Sequence, residues 1–193
     1  MGATVAPYLQ SGFPWHTPDV THPHLTTADA WWDGLFPVLE SACLAVGASH
    51  DVAAQASRAV RELYLTPETW AVFDDVEPAL RSLTEMGWHH IVLSNHVPEL
   101  PELVVRLGLN QHFDQVLSSG TLGYEKPHPS AFSAALSAAG HPERAYMIGD
   151  DVVADVLGAE KAGLEAILVR GSDDRATRCC ERLLDVADLL LTS

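Results

Sequence analysis

Ala145-Tyr-Met-Ile-Gly149-Asp150-Asp151-Val-Val-Ala-Asp155-Val-Leu-Gly158-Ala159 is the stretch that decides the fold. A short apolar run ends abruptly at Gly149-Asp150-Asp151, and Asp155 follows as a helical pattern begins. Carboxylates gathered at the mouth of a buried strand repel one another and lose hydration unless a cation shares them. The plainer reading is a helix N-terminus carrying acids, which favour the positive end of the helix dipole. The cation reading predicts a Mg²⁺-dependent site with Asp150, Asp151 and Asp155 around the metal, on an α/β fold.

Working outward, other short apolar runs alternate with helical patterns from residue 70 on. Strands are expected at 90–94, 115–118, 145–149 and 165–169, with helices at 76–86, 98–107, 129–139 and 152–162. Gly87, Gly140 and Gly163 follow three of these helices, where a left-handed residue closes the last turn. Strands that are apolar throughout and separated by helices imply a parallel sheet covered on both faces. A terminal helix over 178–191, including Cys179 and Cys180, is expected to cover one face. Residues 1–68 read instead as helical after a lead-in rich in proline and histidine. Thr26 or Thr27 can cap a first helix, which Pro37 is expected to kink or split, and Ser49 a second. The organisation predicted is therefore a partial helical cap subdomain at 1–68 and a doubly wound parallel α/β core at 69–193. Chemistry in such folds gathers beyond the carboxyl ends of the strands.

Bulk properties narrow the function. A chain of 193 residues with 47% apolar and 19% charged content suits one globular domain, with or without a small insertion. A net charge of −15 argues against nucleic acid, whose phosphates need a basic face. No apolar run approaches the ~20 residues that span a bilayer, and no signal peptide is apparent, so no membrane partner is expected. Cys43, Cys179 and Cys180 make no disulfide framework, which suits a reducing cytoplasm. The chain leaves a homodimer possible. Lysine occurs only at positions 126 and 161, against nine arginines, so a lysine in a motif carries more information than usual.

Lys126 holds such a position, in Gly123-Tyr-Glu125-Lys126-Pro127-His128-Pro129. Ile91-Val-Leu-Ser94-Asn95-His96 sets a hydroxyl and an amide just past another strand, where both can donate to an oxyanion. Each is weak alone, since Ser-Asn after a strand also makes a turn or cap and a loop lysine is usually solvated. In this order and spacing, with the Gly-Asp-Asp stretch, the three elements resemble the haloacid dehalogenase-like hydrolase superfamily. The resemblance runs over about residues 26–171, and the early helices are similar to its small helical cap. It implies that Ser94 and the Asn95 backbone bind the transferring phosphoryl group and that Lys126 balances its charge. It further implies that Asp150 binds Mg²⁺, supported by Asp151 and Asp155. The activity implied is a phosphatase acting on a small phosphorylated metabolite through an aspartyl-phosphate.

The family's nucleophile is an aspartate ending a first strand that precedes the cap, and no such strand with Asp-x-Asp stands before residue 26. Val72-Phe-Asp74-Asp75-Val-Glu77 is a decoy, in which Asp74 or Asp75 is expected to cap the helix carrying Leu80 and Leu83. The resemblance places the first strand between those ending at Ser94 and Asp150. Losing it would remove about eight backbone hydrogen bonds worth about 1 kcal/mol each, comparable to the stability of a domain. The expectation is that the chain is an N-terminally truncated form, inactive alone; the alternatives are a start codon placed too late or something else filling the slot. Two other readings remain: a dehalogenase working without metal, and a non-catalytic relative that binds a phosphorylated ligand or a protein. His22, His24, His89 and His90 are expected as surface or packed side chains rather than metal ligands. Trp31 and Trp32 cannot share a helical face, which leaves room for one to look toward the site, but core packing is the expectation for either.

Overall fold

A computed structural model describes residues 4–191. Helix α1 (Ala28–Ala45) starts where the Thr27 side chain accepts from the Ala30 N–H at 3.3 Å. Helix α2 (His50–Tyr64) starts in the same way, with Ser49 accepting from Val52 at 3.4 Å. These hydroxyls satisfy donors that have no partner inside the helix. Pro37 does not split α1. It lies on the exposed side with Asp33, whose carbonyl is left without its helical donor and faces water. The two helices pack on each other, and the lead-in packs on α1 through Phe13, which joins Trp31, Trp32, Leu35 and Val97 in one apolar cluster.

The rest alternates strand and helix: α3 (Val76–Glu85), β1 (Ile91–Ser94), α4 (Leu100–Arg106), β2 (Gln115–Ser118), a short α5 (Ser119–Leu122), α6 (Pro129–Ala138) and β3 (Tyr146–Gly149). A wide π-helical turn (Val152–Leu157) then runs into α7 (Gly158–Lys161), followed by β4 (Glu165–Val169), β5 (Cys179–Cys180) and α8 (Val186–Leu191). Gly87 ends α3 with φ at +90°, a conformation that strains any side chain bearing a Cβ. All strand pairs are parallel. β4 shows why both faces need cover. Ala166 and Leu168 enter a cluster with Phe132, Val156 and Ala159, while Ile167 and Val169 enter another with Leu83, Val186 and Leu190. Alternate residues of one strand thus feed two cores, as a doubly wound α/β sheet requires.

The strands form two groups, β1-β2 and β3-β4-β5. Between β1 and β3 lies a cavity of about 820 Å³, lined by residues of both strands and by Phe132 and Leu190 from the flanking helices. β1 and β3 are half-buried along their length, whereas β4 is buried from Ala166 to Val169.

Two expectations need correction. Cys179 and Cys180 form a strand paired parallel to β4, Leu168 opposite Cys179 and Val169 opposite Cys180, rather than the start of a helix. The helix begins only at Val186, because the backbone of 178–180 is drawn onto the sheet by bonds such as Leu168 N–H to Arg178 O at 3.0 Å. Asp75 does not cap α3 with its side chain. It is buried, accepts from Arg170 at 2.6 Å and from the Leu183 N–H at 2.7 Å, and so ties the start of α3 to the end of β4. The Arg170 guanidinium and that N–H hold its carboxyl below the usual range against the effect of burial. A carboxylate so engaged is a structural strut and a poor nucleophile. Asp74 is exposed and lies 3.6 Å from Arg182.

Candidate active site

β1 and β2 end side by side, with Ser94 opposite Ser118. The buried Ser118 hydroxyl lies 2.6 Å from the His96 carbonyl and 2.7 Å from that of Val97, and Ser119 accepts from the His96 N–H at 3.0 Å. The end of β2 therefore fixes the loop that carries Asn95. Asn95 in turn grips the Lys126 peptide on both sides: its Oδ1 accepts from the Lys126 N–H at 2.7 Å, and its Nδ2 donates to the Lys126 carbonyl at 2.9 Å. A side chain that satisfies one residue's donor and acceptor together fixes that residue in place. The Lys126–Pro127 peptide is cis.

The Lys126 ammonium reaches Asp155 Oδ1 at 2.5 Å, and both side chains are more than nine-tenths buried. Asp155 Oδ2 accepts from the Asp151 N–H at 3.0 Å, which anchors the carboxylate beneath the end of β3. The wide turn makes this reach feasible, the Asp155 and Val156 N–H groups both bonding to the Asp151 carbonyl at 2.8 and 3.3 Å. Asp151 is also engaged, accepting from the Val153 and Ala154 N–H groups at 2.8 Å each as a helix cap. Gly149 has no room for a side chain, since a Cβ there would collide with the Asp155 carboxylate. Gly149→Ala is accordingly expected to displace that carboxylate from Lys126 and to cost about 1–3 kcal/mol, read as a lower urea midpoint at unchanged slope.

Ser94, Lys126, Asp150 and Asp155 line the cavity between β1 and β3, while Asn95, Lys126 and Asp151 line a second cavity toward the helical pair. Lys126 is common to both. Asp150 is exposed, and its carboxylate has no ion pair or hydrogen bond among the described residues. No three His, Cys, Asp or Glu side chains among the described residues stand close enough to enclose a cation by themselves. The donor set is nonetheless all oxygen, which suits Mg²⁺, an ion that takes one or two carboxylates and fills its remaining positions with water and substrate phosphate.

Several features here escaped the sequence. Glu125 is fully buried next to Lys126, and its Oε1 lies 3.2 Å from the Nε2 of buried His22, whose N–H donates to the Gly123 carbonyl at 2.7 Å. His22 thereby pins the lead-in to the Lys126 loop, while His24 is exposed. Burial raises the Glu125 carboxyl from 4.5 to about 7, opposed by Ser119 and Lys126, and burial lowers the His22 imidazole. Between 4.5 and 7 the folded state therefore binds more protons at Glu125 than the unfolded chain, so this group's stability contribution is lost as pH rises through about 7. His22 acts in the opposite sense and completes its change by its ordinary value of 6.5. Glu125→Gln is expected to raise stability at pH 8 by about 2–3 kcal/mol and to leave it little changed near pH 4. Urea melts at the two pH values check it.

Both tryptophans pack in the core as expected: Trp31 lies edge-on against His22 at 5.4 Å, and Trp32, equally buried, donates to Glu99 at 3.2 Å and also lines the second cavity. Tyr64, Trp70 and His96 form a further aromatic group beside Asn95, with Tyr64 Oη 3.2 Å from His96 Nε2. His89 is exposed 2.8 Å from Asp114, and His90 contacts Thr84 at 3.0 Å. No helix among the described residues is long and apolar enough to cross a membrane.

A family model described as haloacid dehalogenase-like hydrolase matches residues 4–163, so the chain belongs to that hydrolase family. Over 155 residues it is 32% identical to the haloacid dehalogenase-like hydrolase domain-containing protein 3 of Mus musculus, covering 79% of this chain and 61% of the relative. It is 40% identical over 102 residues to a phosphoserine phosphatase of Thermus thermophilus, covering 52% of this chain and 41% of that enzyme. The crystal structure of a 2-haloacid dehalogenase from Pseudomonas syringae pv. tomato DC3000 matches with a TM-score of 0.63 and 25% identity, over 97% of this chain and 84% of that one. The chain spans about three fifths or less of the length of these curated relatives.

Proposed function

We propose that this chain carries the phosphate-binding and metal-binding face of a Mg²⁺-dependent phosphatase for a small phosphorylated metabolite. The observation that supports it best is the convergence of Ser94, Lys126 and Asp150 on one cavity at the ends of β1 and β3. In this reading the Ser94 hydroxyl and the Asn95 backbone donate to the phosphoryl oxygens. The Asn95 side chain, committed to the Lys126 peptide, keeps the lysine in place rather than touching phosphate. The Lys126 ammonium turns part of its charge from Asp155 toward the anion that enters the cavity. Asp150 would hold Mg²⁺, with Asp151 and Asp155 behind it, and the ion would supply charge neutralisation between an attacking carboxylate and the phosphate.

The nucleophilic aspartate is assigned to a further strand seated between β1 and β3, where two parallel strands leave edges unpaired around about 820 Å³. Water then cleaves the aspartyl-phosphate it forms. A reducing cytoplasm fits the three free cysteines. The likeness to a 2-haloacid dehalogenase favours a second reading, in which the same carboxylate displaces halide from carbon.

The test compares this chain with a product extended upstream, assayed for phosphate release from p-nitrophenyl phosphate and for chloride release from 2-chloropropionate. Phosphate release by the longer protein, lost with EDTA and restored by Mg²⁺, is expected. Chloride release alone would transfer the assignment to dehalogenation, and silence in both with phosphate binding retained would make the protein a binding module.

A further inference from the structure

The second cavity, about 550 Å³, lies between the helical pair and the strand ends and is of the size that takes a small organic ligand. Its end nearest the core is lined by the polar and charged residues Asn95, His96, Lys126 and Asp151. Its upper walls are apolar. Leu35 and Leu39 come from α1 beside Trp32, and Tyr64 comes from α2. From the lead-in, Phe13 and Trp15 stack with ring centroids 4.5 Å apart and planes within 8°, and Trp15 is 41% exposed.

The cations of the helical pair are engaged elsewhere. Arg61 forks to Asp29 and Glu99 at 3.0 Å each, and Arg58 lies over the Phe36 ring at 5.3 Å. Lys126 is the one Lys or Arg in the cavity's lining among the described residues, and it sits at the phosphate end. A substrate whose organic part carried a carboxylate, as phosphoserine does, would bury it against leucine and aromatic rings with no second Lys or Arg to meet it. Aromatic walls pair instead with the face or edge of another ring.

We infer that the phosphate monoester this site accepts is that of an uncharged aromatic alcohol, with its ring held among Phe13, Trp15, Trp32 and Leu39 and its phosphate directed to Lys126. This rests on the phosphatase reading above and adds the class of the leaving group. Discrimination arises from the charge of a rival substrate's carboxylate, which loses its hydration in the apolar part of the cavity without gaining a counter-charge.

Calorimetric titration of the chain with 2-naphthyl phosphate, 2-naphthol, O-phosphoserine and inorganic phosphate tests it without requiring turnover. The expected result is that 2-naphthyl phosphate binds at least about tenfold more tightly than either phosphoserine or inorganic phosphate. Leu39→Glu should weaken naphthyl phosphate at least about fivefold and leave inorganic phosphate unchanged. Trp15→Ala, at an exposed ring whose loss threatens folding little, should act in the same direction. Equal affinity for naphthyl phosphate and inorganic phosphate, or no effect of either variant, overturns this inference and leaves the phosphatase reading standing. Naphthol binding as tightly as its phosphate ester, with inorganic phosphate unbound, overturns both.

Discussion

Asp155→Ala is expected to lower the unfolding free energy by about 3–5 kcal/mol, because it leaves the Lys126 ammonium buried without its counter-charge. It also removes the acceptor of the Asp151 N–H, so the end of β3 loses its anchor. Two charges more than nine-tenths buried cost much of their mutual attraction in lost hydration. Replacing both partners by apolar residues of similar volume, Lys126→Met with Asp155→Leu, should therefore recover most of the loss, to within about 1–2 kcal/mol of the parent. Urea unfolding of the two singles and the double gives the coupling directly. A double variant as unstable as the sum of the singles would mean that the pair contributes little and that the Asp151 anchor is the larger loss.

The same residues show what the sequence disclosed and what it withheld. Strands 115–118 and 165–169 form where expected, since short apolar stretches such as Val116-Leu117 and Ala166-Ile-Leu-Val169 between helical patterns are local signals. The caps at Thr27 and Ser49 are local in the same sense. Ser94, Lys126 and Asp150 could be picked out because each follows a strand or stands in a proline-rich loop, and the structure gathers them around one cavity. What each carboxylate is bonded to could not be read. Asp155 meets a lysine 29 residues away, and Asp75, expected as a cap, meets an arginine 95 residues away. Such pairings depend on which strand ends become neighbours, and no periodicity encodes that. The Cys179–Cys180 strand failed for the same reason, since two residues carry too little pattern and their partner is β4. Glu125 was visible beside Lys126, but its burial against His22 depends on the lead-in folding back across more than a hundred residues.

Lys126→Ala is expected to reduce phosphate release about 10²–10³-fold, measured in a protein that carries a strand between β1 and β3. The loss should fall on kcat more than on KM. The ammonium already has a partner in the ground state, Asp155, so its added interaction grows as negative charge accumulates on the phosphoryl oxygens. Lys126→Arg is not expected to rescue turnover: a planar guanidinium does not fit a pocket closed by Asn95 on the backbone side and Asp155 at the tip. Asn95→Ala separates charge from position. It leaves the ammonium and Asp155 in the chain but frees the Lys126 peptide from both of its side-chain bonds, so kcat should fall by an intermediate factor, about tenfold or more, with phosphate affinity nearly preserved. A Lys126→Ala protein with undiminished turnover would mean that this cation serves only to bury Asp155, and the chemistry would have to be assigned to other groups.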